Sequence, residues 1–287
     1  MQKLDPLSYS SATLLQNCSK KYYLYKIKKV PKDPDSEEDN GAFNIGKAFH
    51  KVLEVCRHKR QPIKDFLDET CIEYDVVKDK PRIHAMLLKY FDLHEKSKLE
   101  VVSVEFPIVT DSFIGYIDAL LKAEDGRWYI CDLKTTSRLD ESLKSKLKND
   151  LQLNLYSSFK DAIATQFNLD KDKFTGCLYR ATTKSALRYS EKNSYEEEVA
   201  RFYKSVESYE IEVPVHLLNP KEAIDKHRHL YFMAMGLNEG TVEPFANYNY
   251  CTSYFRPCEY WSHCHGKPYS ECQDELKIKS SENYDSV

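Results

Sequence analysis

The stretch Gly115–Lys134, GYIDALLKAEDGRWYICDLK, constrains this chain more than any other. Ile114, Tyr116, Asp118 and Leu120 alternate with Gly115, Ile117, Ala119 and Leu121, and that alternation reads as a strand. Glu124-Asp125-Gly126 reads as a tight turn, with the glycine where a positive φ is needed. Trp128, Ile130 and Asp132 then climb a return strand, with Lys134 two places on. Residues two apart on a strand share a face, so Asp132 and Lys134 project together. The hairpin brings Asp118 toward them. Two carboxylates beside an ammonium are costly to desolvate as a group. A divalent cation relieves the repulsion, and hard oxygen ligands suit magnesium or manganese. A D-x-K triplet alone is most often a solvated edge. Here both acids interrupt apolar strands, which favours a functional reading.

The rest of the chain supplies enough apolar material to bury such strands. Of 287 residues, 41% are hydrophobic, sufficient for one large domain or two modest ones. Charged residues make up 30%, yet the net charge is only -3, so bulk electrostatics do not mark a nucleic-acid binder. A bound metal and local lysine clusters can still supply a positive field. The 21 tyrosines and 13 phenylalanines are core material first and stacking platforms for bases second. MQKLDPLSYS lacks the apolar run of a signal peptide, and no segment approaches the roughly 18–20 apolar residues of a membrane span. A cytoplasmic, reducing location is expected, where nine cysteines are free thiols or metal ligands rather than disulfides.

Periodicity predicts a helix over 8–27, capped by Ser8 or Ser10 and carrying Lys20, Lys21, Lys26, Lys28 and Lys29. Residues 31–40 read as a proline-broken acidic loop. A helix follows over 43–59, with Phe49, Val52, Leu53 and Cys56 on its apolar face. His50 borders that face, and Gly46 four residues earlier allows close approach. Further helices are predicted at 62–78 and 81–97, with Pro62 and Pro81 near their first turns. A strand at 101–109 carries Glu105 in its middle. After the hairpin, 138–167 reads as mainly helical, with Gln152 and Tyr156 four apart on one face. Strands at 174–181, 186–190 and 211–217 and helices at 194–208 and from Asn219-Pro220 to Leu237 complete the pattern. No internal repeat appears. Helices, a hairpin, and then alternating helix and strand favour a mixed α/β sheet flanked by helices.

Residues 248–272, YNYCTSYFRPCEYWSHCHGKPYSEC, form a loop-like, aromatic cysteine cluster. The intervals between Cys251, Cys258, Cys264 and Cys272 do not match the short knuckles of common zinc modules. So dense a group in a cytosolic chain still points to metal. His263 and His265 keep zinc open, thiolates suit zinc and iron–sulfur clusters alike, and Cys18 can close the site in space. Cys56, Cys71, Cys131 and Cys177 sit in helical or strand patterns and read as core.

In combination these motifs resemble the PD-(D/E)XK nuclease superfamily, in its RecB-like branch of CRISPR-associated and phage exonucleases. The match runs in order from about residue 7 to 265. Leu7-Ser8-Tyr9-Ser10 leads to Cys18; Gly46 to His50 gives G-x3-H; Gly115 to Asp118 gives G-x-I-D. Asp132-Leu133-Lys134 follows with Thr135 behind it, then Gln152 to Tyr156 as Q-x3-Y, then the trio Cys251, Cys258 and Cys264. Ile117 stands where the superfamily's proline would be, and Cys272 is an extra cysteine.

The resemblance implies a restriction-endonuclease-like fold: a helical region over 1–98 with the histidine motif, a nuclease core over 99–240, a cysteine-rich region over 241–272 and a polar tail over 273–287. It implies a metal-dependent exonuclease acting on DNA ends or single strands. The context would be recombination, repair or CRISPR spacer acquisition. His50, Asp118 and Asp132 would ligate Mg2+ or Mn2+, with the Cys131 carbonyl as an extra ligand. Lys134 would position or activate water. Gln152 and Tyr156 would orient the site or the DNA strand, and Lys20, Lys21, Lys26 and the lysines at 144, 146 and 148 could meet the DNA backbone. Cys18, Cys251, Cys258 and Cys264 would hold a structural [4Fe–4S] cluster, with zinc as the alternative. A recombination or CRISPR-adaptation partner protein and a homo-oligomer are possible assemblies. A non-catalytic nucleic-acid-binding or accessory subunit is the rival reading. The chain has no G-x4-G-K-[ST], so any motor would be another polypeptide.

Overall fold

A computed structural model describes residues 4–33, 41–58, 63–137, 142–252 and 257–267. Cys272, the acidic loop beyond Asp33 and the tail over 273–287 lie outside the described residues. Two compact units emerge. One comprises residues 1–39, 109–114 and 226–287; the other comprises 40–108 and 115–225. The first helices fall in one unit with the C-terminal segment, and the helix bearing His50 falls in the other with the strands. Among the described residues no helix is long and apolar enough to cross a membrane.

The larger unit is built around strands β2 (Glu100–Val109), β3 (Phe113–Lys122), β4 (Trp128–Thr136), β5 (Phe174–Thr183) and β6 (Ser208–Pro214). The order β3-β4-β5-β6 is antiparallel, parallel, antiparallel, and β2 also pairs with β3. Pro214 ends the edge strand, where a missing donor does no harm. Residues 186–190 do not pair as the strand their sequence suggested; they form an irregular segment.

Helices α3 (Gly41–Cys56), α4 (Lys64–Glu73) and α5 (Lys80–Ser97) cover one face of this sheet. Phe49, Val52, Leu53, Met86 and Phe91 pack there with Ala119, Leu121, Cys131, Leu133 and Leu178. Asp118 on β3 comes within reach of His50 on α3, while by alternation Asp132 and Lys134 turn away from that apolar layer. Helix α7 (Leu151–Ser157) lies on that side, where the Cys177 thiol donates to the Leu153 carbonyl at 3.7 Å. The single helix expected over 138–167 is instead α6 (Ser142–Leu147), α7 and α8 (Lys160–Gln166). Asp150 causes one break: it is extended and accepts the Leu153 N–H at 2.9 Å as an N-cap.

One buried cation holds the first face together. The Arg180 side chain is fully buried and pairs with Glu210 at 2.7 Å. It also donates to Tyr90 Oη (3.1 Å), His94 Nδ1 (2.7 Å) and Ser97 Oγ (2.9 Å). Burial first, and then the Arg180 charge, push the His94 imidazole down to about 4. It therefore stays neutral and can accept. Helix α9 (Tyr195–Ser205) carries a capping box at Ser194 and Glu197 and packs on α5.

In the smaller unit, β1 (Leu7–Ser8) pairs in parallel with Phe113–Ile114. The helix expected over 8–27 is broken. Helix α1 (Tyr9–Asn17) ends at Cys18, which is extended at φ -158 and caps α2 (Ser19–Tyr22), and a π turn follows over Tyr23–Ile27. Helix α10 (Pro220–Glu239) enters this unit at Lys226, and α11 (Trp261–His265) is its last described helix.

Candidate active site

The register of β3 with β4 runs from Lys122↔Trp128 to Ala119↔Cys131. One step further, Asp118 replaces a backbone acceptor: its Oδ2 takes the Leu133 N–H at 2.6 Å. Asp132 is 2% exposed, and Lys134 Nζ donates to its Oδ1 at 2.7 Å. Burial pushes the Asp132 carboxyl up, and the Asp118 charge adds to this, outweighing the lysine. Burial also raises Asp118. There, however, His50, Lys134 and the Leu133 amide prevail and hold the carboxyl below its ordinary value. Two neighbouring acids are thus driven apart in acidity, as in sites that assign carboxylates different tasks.

Asp118 is also the meeting point with α3. His50 Nδ1 lies 3.7 Å from Asp118 Oδ1. Burial lowers the imidazole pKa, but Asp118 overcomes this and raises it. His50, Glu105 and Asp118 present ligand atoms that all lie within 4.8 Å of one another. Asp132 is outside that trio and is engaged by Lys134.

Glu105 was not legible as a site residue. Its only sign was an acid in the middle of a β-branched strand. Its φ of +45 is left-handed within β2, a strain of about 1–3 kcal/mol for a non-glycine residue. Burial first, and then Asp118, push its carboxyl up to about 7. The Cys131 side chain is wholly buried in the apolar layer under α3, and Leu133 of the same layer also borders the cavity. One imidazole and two carboxylates at this spacing fit a small hard divalent ion such as magnesium or manganese.

Gly46 fixes how closely α3 approaches β4. A Cβ added there would sit 2.8 Å from Thr135 Oγ1. Gly46→Ala is expected to displace α3 one turn before His50. It should cost about 1–3 kcal/mol of stability by overpacking and weaken divalent-ion binding. Urea melts and metal titration of the purified variant check this.

On the α7 side the polar groups form a directed chain. Lys134 Nζ donates to Gln152 Oε1 at 3.1 Å. Gln152 Nε2 donates to Tyr156 Oη at 3.1 Å, and Tyr156 Oη donates to the Tyr116 carbonyl at 2.7 Å. The chain thus ends on β3, two residues before Asp118. Each donor direction is fixed by the next, so the Gln152 amide has one orientation and Lys134 is held from both ends.

The four predicted cluster cysteines meet in the smaller unit. Cys18, Cys251, Cys258 and Cys264 line one small cavity with Lys21, Asn247, Tyr250 and Tyr260. The N-terminal helices are stitched to the later segment there. Lys20 N donates to the Phe245 carbonyl at 2.9 Å, Asn247 Nδ2 to the Asn17 carbonyl at 2.9 Å, and Lys21 pairs with Glu259. Burial pushes the Cys251 thiol up to about 11, and the other three cysteines add to this. His263 and His265 do not line the cavity; His265 stacks on Trp261 with ring centroids 3.8 Å apart. A thiol-only donor set of this kind fits zinc or an iron–sulfur cluster.

No curated protein matches the chain. Among solved structures, a protein from Eubacterium rectale named "Putative exonuclease" covers 90% of this chain and 88% of its own, at 13% identity and TM-score 0.51. That likeness shows the fold. The structure of SSO0001 covers 79% of this chain and 96% of its own, at 16% identity and TM-score 0.24, too low to compare folds. A family model matches residues 6–265, and by that match over most of its length the chain belongs to the PD-(D/E)XK nuclease superfamily.

Proposed function

We propose that this chain is a Mg2+- or Mn2+-dependent deoxyribonuclease that removes nucleotides from DNA ends or single strands. The observation that carries the reading is the His50, Glu105 and Asp118 trio beside the Asp132–Lys134 pair. His50, Glu105 and Asp118, with Asp132 beside them, would hold the ion. When bound, the ion supplies Lewis acidity toward a water and a phosphate oxygen. Lys134 places its ammonium against the charge that builds on the phosphate. Gln152 and Tyr156 orient Lys134 rather than the DNA. No group in the trio reads a base, so little sequence preference is expected. The exonuclease assignment rests on the RecB-like order of motifs and is supported by the name of the Eubacterium rectale protein. A role in recombination, repair or CRISPR spacer acquisition rests on the same resemblance.

The test is cleavage of end-labelled single- and double-stranded DNA with Mg2+, Mn2+ or EDTA. Metal-dependent shortening from one end supports the reading, and the labelled end gives the polarity. Internal cuts in a circular single strand would replace exonuclease with endonuclease. No cleavage on any substrate would favour the accessory-subunit reading.

The cysteine cavity is assigned to a structural [4Fe–4S] cluster. The assignment rests on the family resemblance, since a set of four thiols suits zinc and an iron–sulfur cluster alike. Iron and sulfide analysis after anaerobic purification should find both. Zinc alone would reverse the assignment.

Metal and proton compete at Glu105. Its folded pKa of about 7 lies above the ordinary 4.5. Its contribution to stability is therefore full below 4.5 and lost as pH rises through 7. The ion-free protein is penalised at alkaline pH, and an ion that needs the carboxylate removes that penalty. Added Mn2+ is expected to raise the melting temperature more at pH 8 than at pH 6. An equal shift at both would remove Glu105 from the ligand set.

A further inference from the structure

Helix α3 carries more than His50. Phe43, Gly46, Lys47, His50, Lys51 and Glu54 recur at helical spacing and all line the cavity of about 500 Å³ that contains Asp118 and Lys134. Phe43 stands at the outer end of this stripe. It is 63% exposed although it is a large apolar side chain. Lys47 Nζ lies 4.4 Å from the centre of its ring. Lys184 borders the same cavity, with its Nζ donating to the Ala42 carbonyl at 2.7 Å. The Lys47 ammonium lies over one face of the ring, and a second ammonium, Lys184, is tied to the backbone next to Phe43; an exposed ring with cations beside it matches what a nucleic-acid strand presents, a base and the phosphates beside it.

We infer that Phe43 is a base-stacking platform and that Lys47 and Lys184 grip the adjacent phosphates, so that the site takes DNA as a single strand. This rests on the nuclease reading of the same cavity. Phe43 and His50 are seven positions apart, about 10 Å along the helix axis. That distance corresponds to at most about three nucleotides, since 3.4 Å is the rise of stacked duplex DNA and an unpaired strand is longer per step. The platform therefore holds a base a few steps from the phosphate at the carboxylates. In a duplex the bases already stack on both faces, and a rim phenylalanine reaches only the terminal pair. In an unpaired strand every base has a face to offer, so Phe43 favours single strands without reading their sequence. The two lysines add salt-dependent, sequence-independent affinity.

The experiment measures binding apart from cleavage. Fluorescence anisotropy in EDTA gives the Kd of a labelled 12-nucleotide single strand and of a blunt duplex, for wild type, Phe43→Ala and Phe43→Trp. Phe43→Ala is expected to weaken single-strand binding by about 5- to 100-fold, the range for losing one stacked base. Duplex binding should stay within about twofold, and Phe43→Trp should restore single-strand affinity. Lys47→Ala and Lys184→Ala should each weaken binding to all sequences alike and reduce the salt slope by about 1. A 2-aminopurine moved in turn through the first roughly three nucleotides from the attacked end should be quenched at one position by wild type and Phe43→Trp but not by Phe43→Ala.

Single-strand affinity of Phe43→Ala within about twofold of wild type would overturn the inference, as would equal losses on duplex and single strand. Phe43 is exposed, so its truncation leaves the core intact, and Phe43→Trp controls for folding. Cleavage by wild type is scored separately. Phe43-dependent binding without any cleavage supports the platform while sinking the nuclease. Cleavage with Phe43-independent binding does the reverse.

Discussion

Asp132→Ala is expected to abolish Mg2+-dependent release of nucleotides, with a fall of about 10³-fold or more. Lys134→Ala should follow at about 10²- to 10³-fold, the scale seen when one preorganised donor is removed from a site. Asp132 is 2% exposed and bonded to Lys134 at 2.7 Å, so no bulk water replaces the ammonium beside the carboxylate, while the outer part of Lys134 opens to the cavity. Both variants should still bind single-stranded DNA in EDTA, because Phe43, Lys47 and Lys184 are untouched. Gln152→Ala should lose less, about 10-fold, since it removes one of two tethers on the ammonium. Single-turnover cleavage of an end-labelled strand separates these effects from binding. Activity in Asp132→Ala equal to wild type would mean a contaminating nuclease and would withdraw the site.

Arg180→Ala should be the most destabilising single change in the larger unit, at about 3–5 kcal/mol, the loss typical of breaking a buried ion pair. The guanidinium ties β5 to Glu210 on β6 and to Tyr90, His94 and Ser97 on α5. Removing it orphans several polar groups at once. Arg180→Lys should recover only part of the loss, because an ammonium cannot fork toward so many partners. The double change Arg180→Ala with Glu210→Ala should cost less than the two singles together. Urea melts measure all four proteins. A loss below about 1 kcal/mol for Arg180→Ala would mean that water or rearrangement replaces the network.

The hairpin was legible because alternation, turn chemistry and polar interruption all pointed the same way. Gly126 has the expected positive φ of +85, and the shared face of Asp132 and Lys134 follows from period two alone. The partnership of Lys134 with Gln152 was not legible, since residues eighteen apart reveal no contact by spacing. Glu105 was hidden for a sharper reason. Its left-handed φ breaks the alternation by which a strand residue is assigned a face. Arg180 carried no signal within the strand at 174–181, because its partners lie 30 to 90 residues away. The break at Cys18 was equally silent. Leu14, Leu15, Tyr22 and Tyr25 keep helical spacing across it, but the extended cysteine stops the helix and restarts it. Short-range pattern records which residues share a face; it does not record which strand or helix arrives opposite.

The donor chain from Lys134 to the Tyr116 carbonyl restricts how a proton can travel. Burial favours a neutral amine at Lys134, but Asp132 and Asp118 outweigh it and hold the pKa above that of an ordinary lysine. An ammonium with two of its protons committed to Asp132 and Gln152 has only donation left to it. It can steer a water or a phosphate oxygen, but it cannot act as the base. On the proposed function, a proton leaving the attacking water would go to a carboxylate of the site, to the substrate's own phosphate or to solvent, and a rise of rate with pH would report carboxylate or ligand ionisation rather than the lysine.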